Sequence, residues 1–261
     1  MLILLSPAKR LDFDPAPISP ATTEPELMDR AAILSKTTRN QTRTKIKSMM
    51  GLSDDLAQLN YERFRAFDPA KNADGQPAIM TFAGEVYRGL DARSMKAGDL
   101  DWAQDRLRML SGLYGVLRPL DAIQPYRLEM GTRLKTRRGE TLYDYWGSDI
   151  AKTLNRTLDG HKSRTILNLA SNEYFRAVDK KTLDANVIDV AFKEIKGGKA
   201  RSLFMFVKVA RGLMARWIID NRIDDPAKLK DFNVEGYRFD PEASTDTTLE
   251  FSRPQPAPKR G

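Results

Sequence analysis

The side chains best suited to chemistry gather in the middle of the chain. From Asp105 to Gly131 the sequence reads DRLRMLSGLYGVLRPLDAIQPYRLEMG, with Arg108, Ser111, Arg118, Tyr126 and Arg127 set among Gly112, Gly115, Pro119 and Pro125. A stripe of core residues needs none of these. Guanidinium groups bind carboxylates and phosphates bidentately, and Ser and Tyr hydroxyls donate to the same oxygens. Two distant segments offer matching groups: Ser6 and Lys9 follow the apolar run MLILL, and Asn168, Ser171 and Glu173 follow or end RTILNL. Both places read as carboxyl ends of strands, where open α/β sheets hold ligands. A solvated turn explains Ala8-Lys9-Arg10 as well as a site does. Glu129 and Glu173 are the carboxylates available as a general base, although Glu129 also suits a plain ion pair with a neighbouring arginine.

A second constellation lies earlier. Ile46, Met49, Gly51, Leu52 and Ala57 fit the helix-hairpin-helix pattern hxxhxGhGxxxAxxh, with Ser53 in place of the second glycine and Asn60 in place of the last apolar residue. Such a hairpin presents backbone N–H groups at the start of its second helix, which hold a DNA phosphate without reading bases. Arg43, Lys45 and Lys47 on the first helix reach neighbouring phosphates. Asp54 and Asp55 argue the other way, and any αα-hairpin can imitate the spacing.

Composition removes several alternatives. With no cysteine in 261 residues, thiolate zinc sites, iron–sulfur clusters and thiol redox catalysis are excluded. The single histidine, His161, lies in a polar Gly-His-Lys-Ser turn, so neither a Ser/His/Asp triad nor a His-rich metal site is expected. Iron would have to be held by Asp, Glu or Tyr oxygens, and no spacing selects such a cluster. No cofactor motif is present. Lysine and arginine outnumber aspartate and glutamate 43 to 35, for a formal charge of +8, which favours a polyanionic partner. The N-terminal apolar run is too short for a signal segment or a membrane span, so a cytoplasmic protein without membrane contact is expected.

The elements that must position these groups follow from periodicity. Residues 1–251 read as one compact domain of the α+β class, a mixed sheet surrounded by helices, and 252–261 as a disordered basic, Pro-rich tail. Expected strands are Leu2–Leu5, Ala78–Phe82, Arg164–Leu169, Asn186–Ile195 turning at Gly197-Gly198 into Ala200–Val207, and late strands at Val234–Phe239 and Thr247–Phe251. Expected helices run from about Thr23 to Thr37, from Asp101 through Leu117 with Gly112 and Gly115 inside, from Thr141 to Leu158, and from Lys208 to Ile223 with Arg211 outward.

The blocks LLSPAK, FAGEVYRGL, RMLSGLYGVLRPLDAIQPYRLEMG, NLASNEYF and ARGLMARWII, in that order, resemble the YaaA peroxide-stress protein family. The resemblance spans Met1 to about Phe251. It implies a cytoplasmic bacterial protein of the oxidative-stress response that limits damage from free iron. It further implies largely sequence-independent DNA binding through a helix-hairpin-helix, here Arg43, Lys45, Lys47, Gly51, Leu52 and Ser53, and through a basic cleft. Ser6, Lys9, Arg108, Ser111, Arg118, Tyr126, Arg127 and Asn168 are the residues assigned to that cleft from the motifs. Arg10 stands where relatives commonly carry threonine. The alternative function is an enzyme acting on a nucleotide or nucleic-acid substrate in the same cleft.

Overall fold

The structure is a computed structural model that describes residues 1–16, 18 and 20–257. Its frame is a mixed eight-stranded sheet built from β1 (Leu2–Leu5), β2 (Leu107–Ser111), β3 (Gly115–Leu117), β4 (Thr165–Asn168), β5 (Asn186–Lys196), β6 (Lys199–Arg201), β7 (Arg238–Asp240) and β8 (Thr248–Pro254). The order is β7-β8-β5-β4-β1-β2-β3, with β6 paired to the far end of β5. The central strands β8, β5, β4, β1 and β2 are parallel, while β3, β6 and β7 are antiparallel additions.

Every residue of β1, β2 and β4 is buried. Continuous burial on both faces is what a parallel sheet covered by helices demands, and it explains why LILL is apolar throughout. The register sets Leu4 beside both Arg108 and Asn168, and Asn168 beside Asp189. Because the chain leaves β1 for β2 on one side and returns to β4 on the other, strand order reverses at β1. The carboxyl ends of β1 and β4 therefore occupy the crevice position where open α/β sheets usually hold ligands.

Around the sheet lie α1 (Met28–Arg39), α2 (Arg43–Met50), α3 (Asp54–Ala66), α4 (Glu85–Leu90), α5 (Ala97–Arg106), α6 (Leu142–Trp146), α7 (Asp149–Leu158), α8 (Asn172–Phe175) and α9 (Phe204–Asp220). Helices α4 and α9 cross with backbone against backbone. A methyl group on Gly212 would meet Val86 O and sit 2.7 Å from Leu90 N; one on Gly89 would meet Val209 O. Only glycine permits that approach.

Several expectations give way. The helix expected through Leu117 stops at Arg106, and the next residues form the β2–β3 hairpin. Gly115 has φ +73°, and Gly112 packs on the Leu128 carbonyl, so both glycines serve the hairpin. Ala78–Thr81 is a single helical turn, not a strand. Gly147, at φ +47°, divides the expected 141–158 helix into α6 and α7. Helix α1 starts at Met28, since Thr23 is held by Asp121 and by a bridge to it. The strand after Gly197-Gly198 ends at Arg201, and α9 begins at Phe204. Val234–Gly236 is a 3-10 turn preceding β7. The last strand runs to Pro254, three residues into the expected tail, pairing Ser252–Pro254 with Lys193–Ile195; residues 258–261 lie outside the described set.

Candidate functional site

At the carboxyl end of β1, Pro7 ends the strand and leaves Ser6 facing the loop after β4. Ser6 Oγ accepts a hydrogen bond from Ser171 N at 2.8 Å and donates to Ser171 Oγ at 3.3 Å. The Tyr87 hydroxyl of α4 donates to Ser6 O at 3.0 Å. One strand over, Asn168 Nδ2 donates to Asp189 Oδ1 at 2.7 Å, and its Oδ1 accepts from Ala170 N. Arg211 of α9 faces Asp189. Its Nε is buried without a hydrogen-bond partner among the described residues, and burial holds its guanidinium below the ordinary arginine range, with Asp189 opposing. Buried donors of this kind are costly unless a further acceptor reaches them.

The cations sit beside this row. Glu129 joins two of them: Oε2 accepts from Lys9 Nζ at 2.6 Å and Oε1 from Arg127 Nη2 at 2.9 Å. With both oxygens engaged, the carboxylate orients Lys9 and Arg127; proton transfer would first require a cation to move. Arg63 of α3 is close enough to feel Arg127, whose charge adds to burial in depressing its pKa. Tyr126 and Tyr174 back the cluster, their hydroxyls pushed up by burial first and by each other second for Tyr174. They stay neutral donors throughout the physiological range. Glu173 is pinned, its Oε1 accepting from Gly131 N at 2.9 Å and its backbone oxygen from Tyr143 OH. Two cations, the Ser6 and Ser171 hydroxyls and one anchored carboxylate at the carboxyl ends of the strands can bind a phosphoryl group and polarise it.

Of the residues assigned to one cleft, Ser6, Lys9, Arg127 and Asn168 share this end of the sheet. Arg108 and Arg118 do not. Arg108 turns back to Gln104 O, Leu107 O and Thr157 Oγ1, and Arg118 binds Asp121 and Glu24 O. Both line a pocket next to Gln104, Asp105 and His161, which precede β2 and β4, so they belong to the amino ends of the parallel strands. Ser111 and Tyr126 are buried structural groups: Ser111 Oγ lies 2.7 Å from Tyr126 OH and accepts from Tyr114 N. His161 is half-buried, its ring between the Met1 backbone and Asp105 O, instead of a solvated loop side chain. Sequence spacing does not single out Arg63, Asp189, Arg211 or Tyr174. The two arginines look like ordinary outward cations on amphipathic helices, and only tertiary packing brings them here; the one available signal was the Gly212 beside Arg211.

The helix pair α2–α3 is present as a tight hairpin. Gly51 adopts φ +61°, Leu52 turns into the core, and Ser53 Oγ accepts from Leu56 N at 3.4 Å to cap α3. The three basic side chains differ in their freedom. Lys47 Nζ is bound to Asp54 at 2.7 Å across the turn, and Arg43 reaches Gln58. Lys45 and Arg133 make no ion pair among the described residues, and they line one groove of about 280 Å³ with Gln41, Lys135 and Glu140. Asp54 and Asp55 occupy the first turn of α3 and compensate its dipole. Asn60, at the last apolar position of the pattern, is buried with Oδ1 unpartnered. Among the described residues no group of three or more His, Cys, Asp or Glu side chains could hold a metal ion, and no helix is long and apolar enough to cross a membrane.

A family model described as "Peroxide stress protein YaaA" matches residues 1–243. A UPF0246 protein of Maricaulis maris is 58% identical over 257 residues, covering 98% of this chain and 97% of its own. One from Caulobacter vibrioides is 56% identical over 98% of this chain and all of its own length. One from Burkholderia vietnamiensis is 46% identical over 97% of this chain and 98% of its own.

Proposed function

The chain belongs to the peroxide stress protein YaaA family, and from that premise we propose that it is a cytoplasmic protein that binds DNA through backbone phosphates and thereby helps limit iron-dependent oxidative damage. Support comes chiefly from the cationic face of the α2–α3 hairpin. Arg43 and Lys45 on α2 and Arg133 across the groove carry no carboxylate partner among the described residues, whereas Lys47 and Lys135 are paired with Asp54 and Glu140. Unpaired surface cations arranged beside a helix start are what a polyphosphate backbone attracts, without regard to base sequence. Binding should therefore rest on Arg43, Lys45 and Arg133, and Lys47 should matter little. In a duplex DNA gel shift at low salt, Arg43→Glu with Lys45→Glu is expected to abolish the shift while Lys47→Ala leaves it. A shift unaffected by the double variant would overturn the hairpin as the contact surface. On this reading the protection against iron comes from covering DNA; stoichiometric iron binding by the purified protein would replace it.

The gathering of Lys9, Arg127, Glu129, Ser6 and Ser171 at the carboxyl ends favours a second reading, an enzyme acting on a nucleotide or nucleic-acid substrate. There Lys9 and Arg127 would bind phosphate, and Glu129 would position both. Loss of a measured turnover in Lys9→Ala, with DNA binding retained, separates this role from the hairpin.

A further inference from the structure

At the amino ends of the parallel strands, opposite the crevice of Ser6 and Ser171, lies a pocket of about 580 Å³ walled by Arg106, Arg108, Arg118 and Arg156. Two carboxylates, Glu26 and Asp105, join the lining; Asp121 pairs with Arg118 at 2.9 Å and Asp224 lies 3.8 Å from Arg106, which leaves Glu26 as the carboxylate nearest to Arg108 and Arg156. Arg108 is 4% exposed, and its Nε, like that of Arg106, is buried without a hydrogen-bond partner among the described residues. Glu26 stands at the centre. Its oxygens lie 3.9 Å from Arg108 Nη2, 4.0 Å from Arg118 Nε and 3.9 Å from Arg156 Nη2. Each separation is beyond hydrogen-bond length, so Glu26 bonds none of the three; Arg108 Nη2 and Arg156 Nη2 donate instead to Thr157 Oγ1 and Thr153 Oγ1, and Arg118 Nε to Asp121.

We propose that this pocket is a binding site for a small phosphate- or pyrophosphate-bearing molecule, with Glu26 holding the place of the anion until it arrives. A phosphate group carries up to two negative charges and three acceptor oxygens, enough to bond three guanidiniums that a single carboxylate cannot reach together. Burial lowers the pKa of Arg108 to about 10, so its charged form is the one that gains most from an anion at close range. The volume admits a molecule larger than free phosphate, and its edge reaches Thr157, whose hydroxyl oxygen can accept from a polar remainder. The site is separate from the α2–α3 surface and from Lys9, and it stands whether or not either binds DNA.

Calorimetric titration of the full chain with inorganic pyrophosphate at low ionic strength tests it. Saturable one-to-one binding is expected. Arg156→Ala should weaken it about tenfold, Arg156 being 61% exposed. Glu26→Gln should tighten it about tenfold by removing the competing charge, an effect that a damaged fold cannot imitate. Absence of saturable binding, or identical affinity in both variants, overturns the proposal. So does an equal loss of duplex DNA binding in Arg156→Ala, which would make the pocket part of a nucleic-acid surface.

Discussion

Replacing Gly212 by alanine should damage this protein, whereas the same change at Gly98 should improve it. Both glycines lie in helices, so intrinsic propensity favours alanine at each by about 1 kcal/mol. The surroundings decide the sign. A methyl group on Gly98 meets nothing within 4 Å and needs no positive φ, so Gly98→Ala should gain about 0.5–1 kcal/mol. On Gly212 the methyl group would strike Val86 O and lie 2.7 Å from Leu90 N and 2.9 Å from the Gly89 carbonyl carbon, all backbone atoms that no rotamer change can remove. Helices α4 and α9 must separate by an ångström or more, opening the densest helix contact of the fold. Overpacking costs about 1–3 kcal/mol, and a rigid backbone contact puts the value at the upper end, roughly 3 kcal/mol after the propensity gain. For a chain of this size about 2–4 °C accompany each kcal/mol, so a fall of about 6–12 °C is expected in calorimetry. Separation would also draw Tyr87 from Ser6 O and Arg211 from Asp189, loosening the crevice. A Gly212→Ala protein melting within about 2 °C of the parent would refute the close crossing.

The pH profile gives a second test, since His161 is the single histidine. Burial, and next the charge of the chain terminus, lower its pKa, so the folded state binds this proton more weakly than the unfolded chain. Its contribution is complete above pH 6.5 and is lost as pH falls below it. Melting temperature should therefore decline between pH 7 and pH 5.5, and His161→Asn should flatten that interval; an unchanged slope would show that the ring titrates freely. Asp121 is buried, with Thr23 Oγ1 donating to Oδ1 at 2.6 Å and Arg118 donating to both oxygens. Asp121→Ala strands those donors and should cost about 3 kcal/mol by chemical denaturation, against less than 1 if the network is incidental. Ser53→Ala removes the cap of α3 and should lower stability by about 1 kcal/mol, with faster hydrogen exchange confined to its first turn. Exchange unchanged there would mean that Ser53 caps nothing.

Much of the frame was legible in the chain. LILL is an unbroken apolar run of the kind a strand covered on both faces requires, TILN holds Ile166 and Leu167 between two polar ends, and the Gly51-Leu52-Ser53 turn carries its own punctuation. Leu107–Ser111 was hidden because Ala103, Leu107 and Leu110 keep helical spacing across the point where α5 ends; tertiary pairing with β1 overrides the period. The site was legible in part. Ser6, Lys9 and Asn168 follow from the rule that ligands meet strand carboxyl ends, and the Arg127–Glu129 pair from their closeness in sequence. The division of the arginines was not legible, because Arg108 and Arg127 belong to one segment of mixed charge while their side chains leave for opposite ends of the sheet. Nothing in the spacing of Arg63 or Arg211 distinguishes a crevice residue from a solvated one.

DNA binding by the hairpin face is tested most directly by its salt dependence. Three cations without an ion pair among the described residues, Arg43, Lys45 and Arg133, imply about three neutralised phosphates. At about −0.9 per phosphate the log–log slope of affinity against salt should be near −2.7, a loss of about 40-fold between 50 and 200 mM. Fluorescence anisotropy with duplex DNA over that range should give this slope for the parent chain and about −0.9 for Arg43→Ala with Lys45→Ala. Affinity independent of salt, or a slope unchanged in the double variant, would contradict the assignment.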